Sequence, residues 1–130
     1  MSQIADAVAA YKAMGLSCSQ TVMSIVGLDA RDEENEDLVT AMCGLSYGMF
    51  CQHTCGALTG AACALALHAP DKETLKGWCQ ELSAWFEGRY SSVVCRDLLG
   101  EGTMNPHFCL EVIRETTEKS MEILEQAGCL

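Results

Sequence analysis

Between Cys55 and Leu67 the chain reads Cys-Gly-Ala-Leu-Thr-Gly-Ala-Ala-Cys-Ala-Leu-Ala-Leu, a stretch without a single charge. Gly56 and Gly60 stand one helical turn apart and Ala64 continues their row, because side chains at i and i+4 share a helix face. Glycine inside a helix costs about 0.5–1 kcal/mol relative to alanine. Two in one turn make sense where another backbone must come close. The stretch is well short of the ~20 apolar residues that span a bilayer, so it predicts a buried helix from about Thr54 to His68. Any fold containing it must bring a second element against the glycine row.

Helical spacing recurs in the rest of the chain, while strand-like alternation is almost absent. Ile4, Ala7, Val8, Tyr11 and Met14 share one side of a predicted helix that stops at Gly15, a residue suited to a left-handed cap. Ser17 is a candidate N-cap for a second helix through Cys18, Val22, Ile25 and Val26 that ends near Gly27. The acidic run Asp29 to Asp37 predicts a solvated loop leading into a helix through Leu38, Val39, Met42 and Leu45. Tyr47 to His53 reads as irregular, with Gly48 as breaker. Beyond Pro70, Asp71 caps a helix carrying Leu75, Trp78, Cys79, Leu82 and Phe86 and ending near Gly88. A short turn or helix surrounds Cys95 to Leu99, followed by a glycine-bearing loop.

The final helix is the plainest, with Asn105 as cap and Pro106 at the first helical position. Cys109, Val112, Ile113, Thr116, Ser120, Ile123, Leu124 and Ala127 form its stripe. The fold class expected is all-α, an irregular bundle of about five or six helices in a single domain over residues 1–130.

The formal charge is −10, which repels phosphate backbones and anionic headgroups. With no basic cluster to offset it, nucleic-acid binding and membrane insertion are set aside. Nine cysteines would suggest a disulfide framework in a secreted chain. The N-terminal residues Met1 to Asp6, however, have neither the basic nor the apolar region of a signal peptide. A cytoplasmic, reducing setting is therefore expected, where thiols persist unless they bind metal or do chemistry.

Four of the cysteines fall at predicted helix starts: Cys18 after Ser17, Cys55 after Thr54, Cys95 at the head of its short segment, and Cys109 in the first turn after Pro106. Free N–H groups and the positive end of the helix dipole favour a thiolate there. Cys63 and Cys79 sit on apolar faces and are expected to pack as small hydrophobes, and Cys43 and Cys129 are treated as incidental. His53, two residues before Cys55, is a candidate base or ligand, although a solvated loop position is its default. His68 is assigned to the helix dipole, and His107 is a candidate to tune Cys109. Arg96 could lower the pKa of Cys95, with Asp97 holding its guanidinium, and an ordinary surface pair is the competing reading.

The segment Cys55-Gly56-Ala57-x-x-Gly60, with one cysteine upstream and two downstream, resembles the redox-active family named for its C…CGAxxG…C…C pattern. Cys18-Ser19-Gln20-Thr21-Val22 is similar to its upstream segment, and Val94-Cys95-Arg96-Asp97-Leu98-Leu99-Gly100 and Phe108-Cys109-Leu110 are similar to the third and fourth. The resemblance covers nearly the whole chain and implies that Cys18, Cys55, Cys95 and Cys109 act as one set. It also keeps an iron–sulfur centre open, because a similar domain of some multidomain cytochromes is thought to hold one. The chain departs from the pattern just before the motif, where such proteins are glycine-rich and this one reads Gly48-Met49-Phe50-Cys51-Gln52-His53-Thr54. Cys51 is thus a second candidate partner for Cys55, and Gly56 and Gly60 are candidates to clear space around the site.

Three functions follow from these residues. The first is a redox protein working through clustered thiols, by disulfide exchange or electron transfer with a partner protein or small thiol. The second is a metal or iron–sulfur protein using the same four cysteines; without C-x2-C pairs, a structural zinc site fits least. The third is a non-catalytic interaction module presenting the Trp78, Trp85 and Phe86 face. Homo-oligomers are compatible with all three.

Overall fold

The structure is a computed structural model that describes residues 2–99 and 106–130. Among them are seven α-helices and no strand: α1 (Ser2–Ala13), α2 (Cys18–Val22), α3 (Glu36–Met42), α4 (Gly56–His68), α5 (Lys72–Tyr90), α6 (Cys95–Leu99) and α7 (Pro106–Gln126). The architecture is all-α, as expected. The proposed Asn105 cap and the loop through Gly100 to Thr103 lie outside the described residues, as does the side chain of His107. No described helix is long and apolar enough to cross a membrane.

Local chemistry explains most helix limits. Gly15 follows α1 with φ +90, a conformation open to glycine at little cost. The Asn35 and Asp71 side chains accept hydrogen bonds from Leu38 N (3.0 Å) and Thr74 N (2.7 Å), capping α3 and α5. At the head of α2 the Gln20 side chain accepts from Ser17 N at 3.0 Å. Two expected helix ends differ. Gly27 does not end the second helix, because α2 runs on into a wider π-type turn over Met23–Leu28. Nor does Gly88 end α5, which continues to Tyr90 and is capped by Ser91 at φ 66. The Tyr90 ring, packed at 4.7 Å on Phe86, supplies apolar contact for the extra half-turn.

The hub of the bundle is α2 with its π-type turn, where every residue from Thr21 to Leu28 is buried. Helix α4 crosses it, and α1, α5 and α7 pack around the pair. The crossing explains the glycine row. A Cβ on Gly60 would lie 2.9 Å from both Cα and O of Ser19, so the α2 backbone occupies the space a side chain would need. Val22, Val26, Leu65, Leu82, Phe86 and Leu124 fill the centre, each almost fully shielded. His68 reaches back to the turn, its Nε2 2.8 Å from the Val26 carbonyl oxygen. A specific tertiary contact thus takes the place of the dipole role expected for it.

Trp78 and Phe86 are buried in this core and Trp85 stacks edge-on against Phe86 and Tyr90. Trp78 and Phe86 therefore pack inward, while Trp85 is half-buried at the edge of the core. The helix α7 carries three fully buried hydroxyls, Thr116, Thr117 and Ser120. Thr117 and Ser120 donate to the carbonyls of Ile113 (2.7 Å) and Thr116 (2.8 Å). Thr116 Oγ1 has no partner among the described residues. A buried hydroxyl without a hydrogen bond is destabilising, and valine has its shape without its polarity. Thr116→Val is expected to raise unfolding free energy by roughly 1 kcal/mol, read as an increased urea midpoint at unchanged slope.

Candidate functional site

Four separate elements each deliver one cysteine to the same place. Cys18 begins α2, Cys55 is the N-cap residue of α4, Cys95 begins α6, and Cys109 lies in the first turn of α7. All four line one cavity of about 40 Å³, together with Lys12, Tyr47, Gly56, Ala57, Leu98, Val112 and Ile113. Organic ligands occupy pockets of roughly 300–1,000 Å³, so this space suits a few atoms and not a nucleotide or flavin. Cys55 and Cys95 are buried, and Cys18 and Cys109 are half-buried.

The positions of Cys55 and Cys95 come from a backbone contact that helical periodicity does not reveal. Residues 53–55 pair antiparallel with residues 93–95 through an isolated bridge between Thr54 and Val94. Cys55 N donates to Val93 O at 2.8 Å and Cys95 N donates to His53 O at 2.6 Å. Side chains alternate across such a pair, so Cys55 and Cys95 lie on one face as diagonal neighbours. Diagonal positions are about 7–8 Å apart, their Cβ atoms somewhat closer, whereas a disulfide needs Cβ atoms about 3.5–4.5 Å apart.

Gly56 is shaped by the same convergence. A Cβ there would lie 2.6 Å from the Leu45 carbonyl oxygen and 2.7 Å from Cys18 Sγ. The missing side chain is therefore the space into which the Cys18 sulfur enters. Gly60 does not line the cavity; it sets the depth at which α2 lies against α4 and so the position of Cys18 one residue before Ser19.

The segment leading to Cys55 is unusual. Tyr47, Gly48, Met49, Phe50 and Gln52 all have positive φ, between 49 and 60. Successive left-handed residues cost about 1–2 kcal/mol each when they carry a Cβ. This is the region where glycines are expected from the family pattern and where this chain has bulky residues instead. Gly48 alone is irreplaceable on steric grounds, since a Cβ would run into the His53 backbone. The turn points Tyr47 into the cavity and leaves Met49, Phe50 and Cys51 exposed. Cys51 is thus outside the cluster, not beside Cys55 in it.

Ionisation here runs against the expectation of helix-start thiolates. Burial pushes the Cys55 thiol up to about 12, and negative charge at Cys18 and, less strongly, Cys95 adds to this; the Ala57 and Leu58 amides at the head of α4 pull the other way. The dipole effect is present, and desolvation outweighs it. Burial also raises Cys95, with Cys109 and Cys18 contributing, and raises Cys109, with Cys18 contributing and Lys12 opposing. Tyr47 is raised by burial and then by Cys18, Cys109 and Cys95. Arg96 is exposed and plays no part in the Cys95 shift, while Asp97 is occupied by Ser92 Oγ at 2.8 Å. The cation that matters, Lys12, comes from α1, and nothing in the sequence marked it or Tyr47. His53 is exposed and contributes its carbonyl, not its ring.

Raised thiol pKa values tie stability to pH. The folded metal-free protein holds these protons more tightly than the unfolded chain, so the stabilisation is fully present below the ordinary thiol value of 9.0 and is lost as pH rises towards about 12. The urea midpoint of metal-free protein is expected to fall between pH 8 and pH 10.5, and to fall less in Cys55→Ala. An equal decline in both would show that Cys55 is not the group responsible.

Among the described residues all nine cysteines are free, and no three His, Cys, Asp or Glu side chains are grouped as they would be around one metal ion. No curated protein and no solved structure matches the chain. A family model does match over residues 16–123, an interval that contains all four cavity cysteines and Gly56 and Gly60 and is described as "Putative redox-active protein (C_GCAxxG_C_C)". The chain belongs to this C_GCAxxG_C_C family.

Proposed function

We propose that Cys18, Cys55, Cys95 and Cys109 together hold one iron–sulfur centre and that the protein transfers electrons to and from a redox partner. The observation that carries this reading is the arrangement of four thiols, one from each of four elements, around a small cavity lined otherwise mostly by apolar side chains. An all-cysteine donor set of this kind suits such a centre. The diagonal placement of Cys55 and Cys95 across the bridge is wider than the spacing a disulfide needs.

The ionisation pattern supports the same reading. Buried thiols that repel one another's charge make poor nucleophiles at neutral pH, but a cationic centre offsets both burial and repulsion and binds them as thiolates. When bound, such a centre supplies one-electron chemistry. The chain's own residues do the rest. Ala57, Leu98, Val112 and Ile113 exclude water, the Ala57 and Leu58 amides favour negative charge on Cys55, and Lys12 does the same for Cys109.

Thiol–disulfide exchange within the four is the second reading, supported by four free thiols that line one cavity. The two separate in one experiment: anaerobic purification without a metal-affinity tag, followed by absorption spectroscopy, iron and acid-labile sulfide analysis, and thiol titration. Iron with sulfide supports the cluster reading. A colourless, metal-free protein that reversibly loses two thiols on mild oxidation overturns it in favour of exchange.

A further inference from the structure

Five cysteines lie outside the cavity, and two of them stand on neighbouring helices that pack together. Cys63 is on α4 and Cys79 on α5, antiparallel neighbours joined by the short connection Ala69–Asp71. Cys63 precedes the last residue of α4, His68, by five positions, and Cys79 follows the first residue of α5, Lys72, by seven. At 1.5 Å per residue these are about 7.5 Å and about 10.5 Å from the turn, so the two lie level to within one helical turn.

Cys63 is exposed, and this corrects the expectation that it packs in the core. Helix α4 is apolar on almost every side, so spacing alone could not tell its inner face, Ala57, Ala61, Ala64 and Leu65, from the flank that carries Cys63 and Ala66. Cys79 is half-buried at the edge of the α5 stripe. Both are free thiols. The two sulfurs are near enough for charge on Cys63 to oppose ionisation of Cys79. Neither lines the four-cysteine cavity.

We propose that Cys63 and Cys79 form a second, surface dithiol on the flank of the α4–α5 hairpin, which closes into a disulfide by exchange with a small-molecule disulfide such as glutathione disulfide. Cys63, the more exposed of the two, attacks first in its thiolate form, whose share burial reduces. Its sulfur bonds to one sulfur of the small disulfide, whose S–S bond breaks, and one small thiol departs. Cys79 then loses its proton and attacks the Cys63 sulfur, the mixed S–S bond breaks, and the second small thiol leaves. In balance, two protein thiols are oxidised to one disulfide and one small disulfide is reduced to two thiols. The closed form clips α4 to α5 at mid-height, making the hairpin responsive to the thiol poise of its surroundings independently of the four-cysteine site.

The test is anaerobic titration of the full chain, as purified, with glutathione disulfide. Remaining thiols are blocked by alkylation in denaturant, and the digest is read by mass spectrometry. The exposed Cys129, beyond the end of α7, serves as internal reference. The expected result is a persistent glutathione adduct on Cys129, and peptides containing Cys63 and Cys79 joined with loss of two hydrogens and no adduct. In Cys79→Ser the adduct should instead remain trapped on Cys63. A lasting adduct on Cys63 in the wild type would overturn the proposal. So would no reaction at Cys63 under conditions that saturate Cys129, or linkage of Cys63 to a cysteine other than Cys79.

Discussion

Replacing Cys55 by alanine is expected to reduce iron and acid-labile sulfide to background, while Cys129→Ala leaves both unchanged. Cys55 has the most constrained position of the four. It opens α4, its amide is bonded to Val93 O, its sulfur faces Cys18 and Cys95, and Gly56 beside it makes room for the Cys18 sulfur. Alanine keeps the backbone pairing and the helix start, so the variant should fold with its helical content intact and lack only the sulfur. The same loss is expected for Cys109→Ala, which removes the sulfur that α7 contributes and leaves the bridge untouched. Cys129 is exposed near the end of the chain, outside the cavity. Circular dichroism would confirm folding, and metal analysis on anaerobically prepared protein would read the outcome. Equal metal content in all three variants would sink the assignment.

The second large effect separates glycines that are needed from glycines that are merely present. Gly60→Ala places a Cβ 2.9 Å from the Ser19 backbone, which cannot yield as the tip of a flexible side chain could. Overpacking of this kind costs about 1–3 kcal/mol, more than the 0.5–1 kcal/mol or so that alanine gains in a helix. The variant should therefore be destabilised, and because α2 must shift, Cys18 should lose its place in the site. Gly77 lies within α5 with nothing inside 4 Å of the position a Cβ would take. Gly77→Ala should therefore stabilise the protein by up to about 1 kcal/mol. Urea denaturation of the two variants checks both signs. A stabilised Gly60→Ala would mean that α2 and α4 do not cross as closely as the structure has them.

The amino-acid sequence already contained the helical class, most helix starts and the placement of four cysteines at such starts. Each of these depends on short-range chemistry. Apolar spacing in α7, the Asn35 and Asp71 caps, and the Gly56–Gly60–Ala64 row all act over one or two turns and can be read along the chain. Where the reading went astray, at Gly27, Gly88, Cys63 and Arg96, a local rule was overridden by what packs alongside. Gly27 and Gly88 sit within helices sustained by tertiary contacts, Cys63 is on the outer side of a helix that is apolar nearly all round, and Arg96 is exposed.

Only the tertiary structure decided how the four cysteines meet. The bridge between Thr54 and Val94 joins segments forty residues apart and brings Cys55 and Cys95 onto one face. The crossing of α2 over α4 brings in Cys18, and α1 adds Lys12. The state of the thiols was decided there too. The amides at the head of α4 favour a thiolate at Cys55, as its position at a helix start implies, but in the metal-free protein burial, followed by the Cys18 sulfur, outweighs them and pushes the thiol up. Helix starts are local and therefore visible in one dimension. Desolvation and mutual repulsion depend on what surrounds a sulfur in space, and those neighbours come from every part of the chain.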